Sequence, residues 1–335
     1  MQPHSISPAK IRVSVGTASL LGLRGGKVKS LAKPTTAYLM TYIRGRCSAS
    51  CLFCPQSKYS RSNPGMLSRI LWPAYPWNTV IDRVTDMFNS SFKRVCIQVQ
   101  RRRDSESQAL KIVSDLASKG VDKISVAVNP LSTEFLEILK DAGVERVGIS
   151  LDAANKEVFE RVKPGFGWRE MWCKIKAAAD IFGPWRVTCH LIAGLGESER
   201  DLVETMARLR DIKVIPSLFA LTPVKRTKLE TMERPSLSSY RRVQVARFLL
   251  MKGYSLEEFM FTESGVISRI TVASEDLDII KKGYPFQTSG CPDCNRPFYN
   301  ETPSGPIYNY AWKPSRLEAL KSYRLVEGCL KCDSS

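Results

Sequence analysis

From residue 37 to about residue 271 the chain alternates strand-like and helix-like segments. That pattern restricts it to a sheet of parallel strands joined by right-handed helical crossovers. Strands are predicted over 37–43, 94–100, 123–128, 146–152, 186–193 and 213–221, with a last candidate at 258–262. Helices are predicted over 78–88, 105–119, 133–142, 156–162, 168–182, 199–209 and 236–251. About six strand–helix units predict an α/β fold, a partial (β/α)6 barrel rather than a closed barrel of eight. Side-chain alternation along a strand sorts its two faces. Val95, Ile97 and Val99 share one face, against Cys96, Gln98 and Gln100 on the other. Val147, Ile149 and Leu151 likewise oppose Gly148, Ser150 and Asp152, and Ile124, Val126 and Val128 oppose Ser125, Ala127 and Asn129. A barrel interior serving only as core is filled by branched apolar residues. A polar interior predicts a ligand inside.

The first predicted strand runs into Cys47-Ser-Ala-Ser-Cys51-Leu-Phe53-Cys54, a C-x3-C-x2-C loop. Three thiolates can hold three irons of a [4Fe–4S] cube and leave the fourth iron free to chelate a small molecule. A zinc loop is the competing reading, but zinc takes four ligands, usually as two C-x2-C pairs. Ligands of α/β units gather at the carboxyl ends of the strands. The cysteine loop, Gln98, Gln100, Ser150 and Asp152 all fall at that end. So does Gly194-Leu195-Gly196, a glycine turn between a strand and a helix that permits close backbone approach.

The cysteine spacing resembles the motif of the radical S-adenosylmethionine (SAM) superfamily, and residues 36–270 resemble its biotin/lipoyl synthase branch. The resemblance implies that the open iron holds SAM and that one electron cleaves it to a 5′-deoxyadenosyl radical. Ser150-Leu-Asp152 is similar to the Asn-Leu-Asp that grips the SAM ribose in biotin synthase. Gly194-Leu195-Gly-Glu197 matches the Gly-Leu-Gly-Glu after the fifth strand, beside adenine. Arg169 falls where the family places an arginine on the SAM carboxylate. The cofactor-binding residues implied are therefore Phe53, Gln98, Gln100, Ser150, Asp152, Arg169, Gly194 and Leu195. The family's Gly-Gly-Glu after the second strand is missing, and Gln98 to Arg101 stand there.

Biotin synthase holds a sulfur-donating [2Fe–2S] cluster inside its barrel on three cysteines and an arginine. Cys96 matches the first of these cysteines. The third strand has no cysteine, and Thr188 takes the third position, with Cys189 one residue off and on the opposite face. An in-barrel cluster is therefore not expected here. Cys96 reads as a small lumen or core residue, Cys173 and Cys189 as part of the helix–sheet layer, and His190 as a polar lumen residue. Cys291-Pro-Asp-Cys294 and Cys329-Leu-Lys-Cys332 remain, as C-x2-C…C-x2-C. Four thiolates suit a closed zinc ribbon or an auxiliary [4Fe–4S] cluster. Beside a radical SAM core the cluster is preferred, on Cys291, Cys294, Cys329 and Cys332. The chain then divides into a lead-in (1–35) packed on the barrel, the barrel (36–275) and a C-terminal cysteine-rich extension (276–335).

The sequence has 50 basic and 33 acidic residues, for a net charge of +17. Such an excess serves solubility or meets an acidic partner. The densest patches are Arg101–Arg103 and Lys225-Arg226, and no aromatic–basic RNA motif accompanies them. No apolar run reaches the ~18 residues of a membrane span, and the first ten residues lack an apolar signal core; the expectation is a cytoplasmic protein without membrane partners. The tail Gly290-Cys-Pro-Asp-Cys-Asn-Arg-Pro297 and the block Arg12-Val-Ser-Val-Gly-Thr-Ala18 resemble one component of the two-protein archaeal lipoyl synthases. That resemblance implies sulfur insertion into an octanoyl chain on an acidic carrier domain, a second radical SAM subunit, and a one-electron donor such as ferredoxin. A tRNA-methylthiolating radical SAM enzyme and a non-catalytic, cluster-bearing accessory subunit are the alternatives.

Overall fold

A computed structural model describes residues 9–25, 32–102, 104–130, 132–297, 299–301 and 305–332. Arg103 of the basic patch and Gly26, in the Gly-rich lead-in, lie outside the described residues. In chain order come β1 (Lys10–Val13), α1 (Val15–Leu20), β2 (Thr36–Met40), the short β3 (Met66–Leu67) and β4 (Ile70–Leu71), β5 (Ala74–Pro76) and α2 (Trp77–Asp86). The alternating part follows as β6 (Arg94–Gln98), α3 (Ser105–Ser118), β7 (Ile124–Ala127), α4 (Glu134–Asp141) and β8 (Arg146–Asp152). Two helices, α5 (Lys156–Val162) and α6 (Trp168–Phe182), lead to β9 (Val187–Ala193), α7 (Glu199–Asp211), β10 (Ile215–Ala220) and α8 (Leu237–Lys252). Last are β11 (Phe259–Phe261), β12 (Ile267–Val272), α9 (Ser274–Lys281), α10 (Arg316–Arg324) and β13 (Leu330–Cys332).

The main sheet has the order β10-β9-β8-β7-β6-β2-β1-β5. The six strands from β10 to β2 pair in parallel, which is the six-unit partial barrel the alternation predicts. The lead-in strand β1 lies antiparallel beside β2 and extends the sheet edge, with β5 outside it. One expectation is corrected. The segment at 258–262 supplies β11, which belongs to a separate sheet β11-β12-β13 rather than to the barrel. Its antiparallel pairing with β12 satisfies its backbone there, and no crossover helix returns it to the barrel edge.

Strand alternation builds the walls. Val95, Ile97, Val147, Ile149, Leu151, Val187 and Leu191 are fully buried beneath the covering helices, with Ile112 and Leu116 of α3 and Met171 and Ile175 of α6 in the same core. Removing such a side chain, as in Ile149→Ala, costs about 2–5 kcal/mol. Helix starts are fixed by local chemistry: Ser198 accepts from the Asp201 amide while Asp201 caps the Ser198 amide, starting α7 immediately after the glycine turn.

The six-stranded arc does not close on itself, and the segment of residues 287–297 and 299–301 bridges from β10 to the start of β2. At its start, Ser289 Oγ accepts from Leu218 N (2.8 Å) and Ser217 Oγ donates to Ser289 O (2.8 Å), tying the segment to β10. Asn295 Oδ1 accepts from Thr35 N (3.0 Å), and Asp293 O accepts from the hydroxyls of Thr35 (2.6 Å) and Thr36 (3.0 Å), tying it to β2. Farther on, Asn300 Nδ2 donates to Ala220 O (2.9 Å) at the carboxyl end of β10. The C-terminal part of the chain thus returns through the barrel opening and climbs it from the amino to the carboxyl ends of the strands.

Candidate functional site

At the carboxyl ends of the strands lies a cleft with about 1160 Å³ of empty space, its open mouth included. Cys47, Cys51, Phe53, Cys54, Gln98, Gln100, Ser150 and Asp152 all line it. The loop that carries the three thiols is anchored from several sides. Leu52 N donates to Val162 O (2.9 Å), Lys228 N to Leu52 O (3.1 Å), and Cys54 N closes a turn on Cys51 O (3.2 Å). Arg101 N donates to Cys47 Sγ (3.3 Å). None of the three is in a disulfide. Burial pushes the Cys51 thiol up to about 12 and the Cys54 thiol well up as well. Cys51 and Cys54 are thus neutral thiols that lose their protons to an electrophilic metal.

Asp152 ends β8 at a register break, with a left-handed backbone (φ 68°). Strain of that kind persists only when the surroundings fix it. Here the fixing group is Lys163, which sequence reasoning missed. Its fully buried ammonium lies 2.8 Å from Asp152 Oδ2 and donates to Ser150 O (2.6 Å). The Phe159 and Phe166 rings flank it at 5.4 and 4.9 Å. Ser150 Oγ meets His190 Nδ1 at 2.9 Å. His190 stands in the lumen as its strand position predicts, and burial, aided by Arg296 and Lys163, holds its imidazole down to about 3, so the ring is neutral.

Two buried acceptors facing the cleft lack partners, Gln100 Oε1 and Asn129 Oδ1. The Gln100 amide NH2 is committed to Gln56 Oε1 (2.9 Å), which fixes which end of the side chain is free. Unpartnered buried acceptors in a cleft can receive hydrogen bonds from a donor-bearing ligand. A carboxylate, a hydroxyl and two amide oxygens fit the ribose hydroxyls and the ammonium of SAM, and three thiols outside any disulfide fit a cube with one open iron. The residues present therefore fit both groups.

Three expected cofactor residues lie elsewhere. Arg169 is exposed on the first turn of α6 and does not line the cleft. Arg101 does line it, 4.7 Å from the Phe166 ring. Gly194 and Leu195 sit behind the wall. Gly194 has φ +102° and packs so tightly on Pro235 that an added Cβ would lie 2.8 Å from its ring. Leu195 is fully buried, with its carbonyl taken by Arg161 (2.7 Å). The Glu197 carboxylate accepts from Gly194 N (2.7 Å), so the Gly-Leu-Gly-Glu run braces itself.

The four tail cysteines do not come together. Cys329 is buried beside Glu199 and Arg242, with its Sγ on Val326 O (3.0 Å). Cys332 is exposed on β13 opposite Val272. Cys291 is inside the barrel, 3.4 Å from Thr188 Oγ1. Thr188 is near the start of β9 and Glu199 lies beyond its end, so the two pairs are separated by at least the five residues from Thr188 to Ala193, roughly 17 Å of strand. The C-x2-C spacing gave no warning of this, because it fixes each pair but not their meeting. Cys96, read as a small lumen or core residue, stands in the lumen, which also receives Cys291 and Cys294. Cys189 is buried in the helix–sheet core and Cys173 is exposed on α6.

Exposed Lys58 and Lys228 are tied to the cysteine loop, Lys58 N donating to Ala49 O (2.8 Å) and Lys228 N to Leu52 O (3.1 Å), and exposed Arg61, Lys225 and Arg226 lie on the same two segments. Arg61 N on Arg226 O (2.9 Å) holds the two cationic loops together. Among the described residues no helix is long and apolar enough to cross a membrane.

The family model of the radical SAM superfamily matches residues 41–209. Curated relatives include the biotin synthases of Aquifex aeolicus, 26% identical over 193 residues (56% of this chain, 55% of that one), and of Picosynechococcus sp., 29% identical over 222 residues (62% and 57%). The matched region spans little more than half the length of these relatives. Among solved structures, methylornithine synthase (TM-score 0.51, 12% identity, 64% of this chain and 62% of that one) and the [FeFe]-hydrogenase maturase HydG (0.52, 12%, 64% and 50%) share the fold.

Proposed function

The chain belongs to the radical SAM superfamily, and we propose that it inserts sulfur into an unactivated C–H bond of an octanoyl chain carried on an acidic protein domain. The observation that carries this reading is the arrangement of thiols at both ends of one lumen. Cys47, Cys51 and Cys54 line the cleft at the carboxyl ends of the strands, and further thiols stand at the amino ends. Biotin synthases are its relatives, which supports sulfur insertion as the reaction class.

When bound, SAM and two iron–sulfur groups would supply the radical that takes a hydrogen atom from carbon and the sulfide that replaces it, one electron passing to iron as the C–S bond forms. The protein binds and aims. Asp152, held by Lys163, would accept from the ribose hydroxyls, and Gln100 Oε1 from the SAM ammonium, in place of the absent Gly-Gly-Glu. Phe53, Val99, Ile192 and Leu221 give the cleft apolar walls, which suit an acyl chain and keep water away. The cationic mouth suits an acidic carrier. A second radical SAM subunit and a ferredoxin-type donor complete the proposed system.

The test is anaerobic incubation of the reconstituted chain with SAM, a reductant and an octanoylated carrier domain, read by intact mass. A thiolated carrier formed with 5′-deoxyadenosine, and suppressed by rising salt, supports the proposal. Cleavage of SAM with modification of tRNA instead of the carrier would replace it.

A further inference from the structure

We propose that Cys96, Cys291 and Cys294 form a second iron–sulfur site inside the barrel, held by three thiolates, and that Cys329 and Cys332 take no part in it. The site rests on the sulfur-insertion reading only for its use; its geometry stands alone.

Strand register makes one half of the site. Tyr38, Cys96 and Ser125 are Cα partners across β2, β6 and β7, so their side chains form one rung of the lumen. The return segment brings the other half. Cys294 N closes a turn on Cys291 O (3.2 Å), the same bond that Cys54 makes to Cys51 in the first cysteine loop, and Asp293 inside the turn is left-handed (φ 64°). That turn is pinned to the barrel floor. Arg94 Nε donates to Pro292 O (3.0 Å), Thr35 and Thr36 donate to Asp293 O, and Asn295 bonds Thr35 N and Lys33 O. Its two thiols enter the rung: Cys294 Sγ lies 3.4 Å from Tyr38 Oη, and Cys291 Sγ lies 3.4 Å from Thr188 Oγ1 and 4.0 Å from Ser125 Oγ. Cys96 is within electrostatic reach of both.

The surroundings choose the occupant. Three hydroxyls, the Gln98 amide 3.2 Å from Cys96 Sγ, and the guanidinium of Arg94 line the site, and Arg146 and Arg296 are within electrostatic reach of its thiols. Donors and positive charge suit inorganic sulfides and an anionic cluster. Zinc would need a fourth ligand of nitrogen, sulfur or carboxylate type. The nearby carboxylate, Glu145, is spent on Arg94 (2.6 Å) and Arg186 (2.8 Å), and His190 is bonded to Ser150. Among the described residues no three such side chains close around a single ion. That holds equally for Cys47, Cys51 and Cys54, and a larger, multi-iron cluster does not require it. With three thiolates, one iron lacks a cysteine and can part with a sulfide more readily than in a fully thiolate-ligated cluster. Tyr299 lines the cleft beside Cys54 and is within electrostatic reach of both Cys54 and Cys96, so one side chain lies near both sites.

The test uses the full chain, anaerobically reconstituted, with iron, sulfide and zinc counted per chain and the clusters followed by Mössbauer spectroscopy. A Cys47/Cys51/Cys54→Ala variant isolates the second site. Expected is iron with equal sulfide in that variant, abolished by adding Cys96→Ser or Cys291→Ser/Cys294→Ser and unchanged by adding Cys329→Ala/Cys332→Ala. Thermal unfolding of each apo variant separates lost ligands from lost fold, and the two independent lumen substitutions keep the test decisive if one unfolds. Iron that survives Cys96→Ser, iron lost with Cys329→Ala/Cys332→Ala, or zinc in place of iron overturns the assignment. A cluster on these three cysteines with no thiolated carrier retains the site and removes the sulfur-insertion reading.

Discussion

Lys163→Met tests whether Asp152 is held for SAM by a buried cation. The Lys163 side chain is wholly buried and its ammonium has two oxygen partners, Asp152 Oδ2 at 2.8 Å and Ser150 O at 2.6 Å. Asp152 is itself only 8% exposed. Methionine keeps the stem volume but leaves a buried carboxylate without its counter-charge. Removing one member of such a pair costs about 3–5 kcal/mol, which for a chain of this size lowers the apo-protein melting temperature by roughly 4–7 °C. The damage is specific to the pair, so Asp152→Asn/Lys163→Met should be less destabilised than the sum of the single variants by at least ~1.5 kcal/mol. SAM binding, measured calorimetrically on the iron-loaded protein, should weaken in Lys163→Met by 10-fold or more as Asp152 loses its position. A melting temperature within 2 °C of wild type, together with an additive cycle, would refute the reasoning and reduce Lys163 to an incidental neighbour.

Gln100→Leu removes the free buried acceptor; a hydrogen bond to a charged group contributes about 1.5–3 kcal/mol, so SAM affinity should fall ~10–100-fold with iron content unchanged, and unaltered affinity would show that the ammonium is held elsewhere. Arg169→Ala should change SAM affinity less than ~3-fold because Arg169 is exposed outside the cleft; a 10-fold loss would mean that the first turn of α6 reaches the ligand. His190 is depressed to about 3 in the fold from an ordinary 6.5, so below pH 6.5 the unfolded chain binds the extra proton and stability falls with pH. Wild-type apo-protein should therefore lose about 1 kcal/mol more than His190→Gln between pH 7 and 5.5, and parallel stability profiles would exclude the buried neutral imidazole. Gly194→Ala forces a Cβ against Pro235 at φ +102° and should cost about 1–3 kcal/mol, visible as a lower denaturation midpoint; an unchanged midpoint would show that the turn can relax.

Local signals carried most of the fold and half of the site. Apolar alternation with period two, as in Val147, Ile149 and Leu151, placed β8 with the right faces, because burial on one side of a strand leaves its mark residue by residue. The Cys47–Cys54 loop was legible for a similar reason: one tight turn holds its ligands, and a preceding strand delivers them to the carboxyl end of the sheet. Lys163 was not legible, since nothing in Lys-Pro-Gly says that an ammonium will be buried under Asp152; desolvation and pairing are set by what packs around α5. Nor did spacing reveal which thiols meet. Cys96 and Cys291 are 195 positions apart, and they share a lumen only because the segment from Gln287 to Pro297 enters the opening of a six-stranded arc. The parallel barrel and the first cysteine loop could be read from the chain alone, because their causes lie within a few residues of each other. The partners of Cys96, and the separation of Cys291 and Cys294 from Cys329 and Cys332, were decided by the tertiary structure, because closing a barrel is a long-range event that no local pattern encodes.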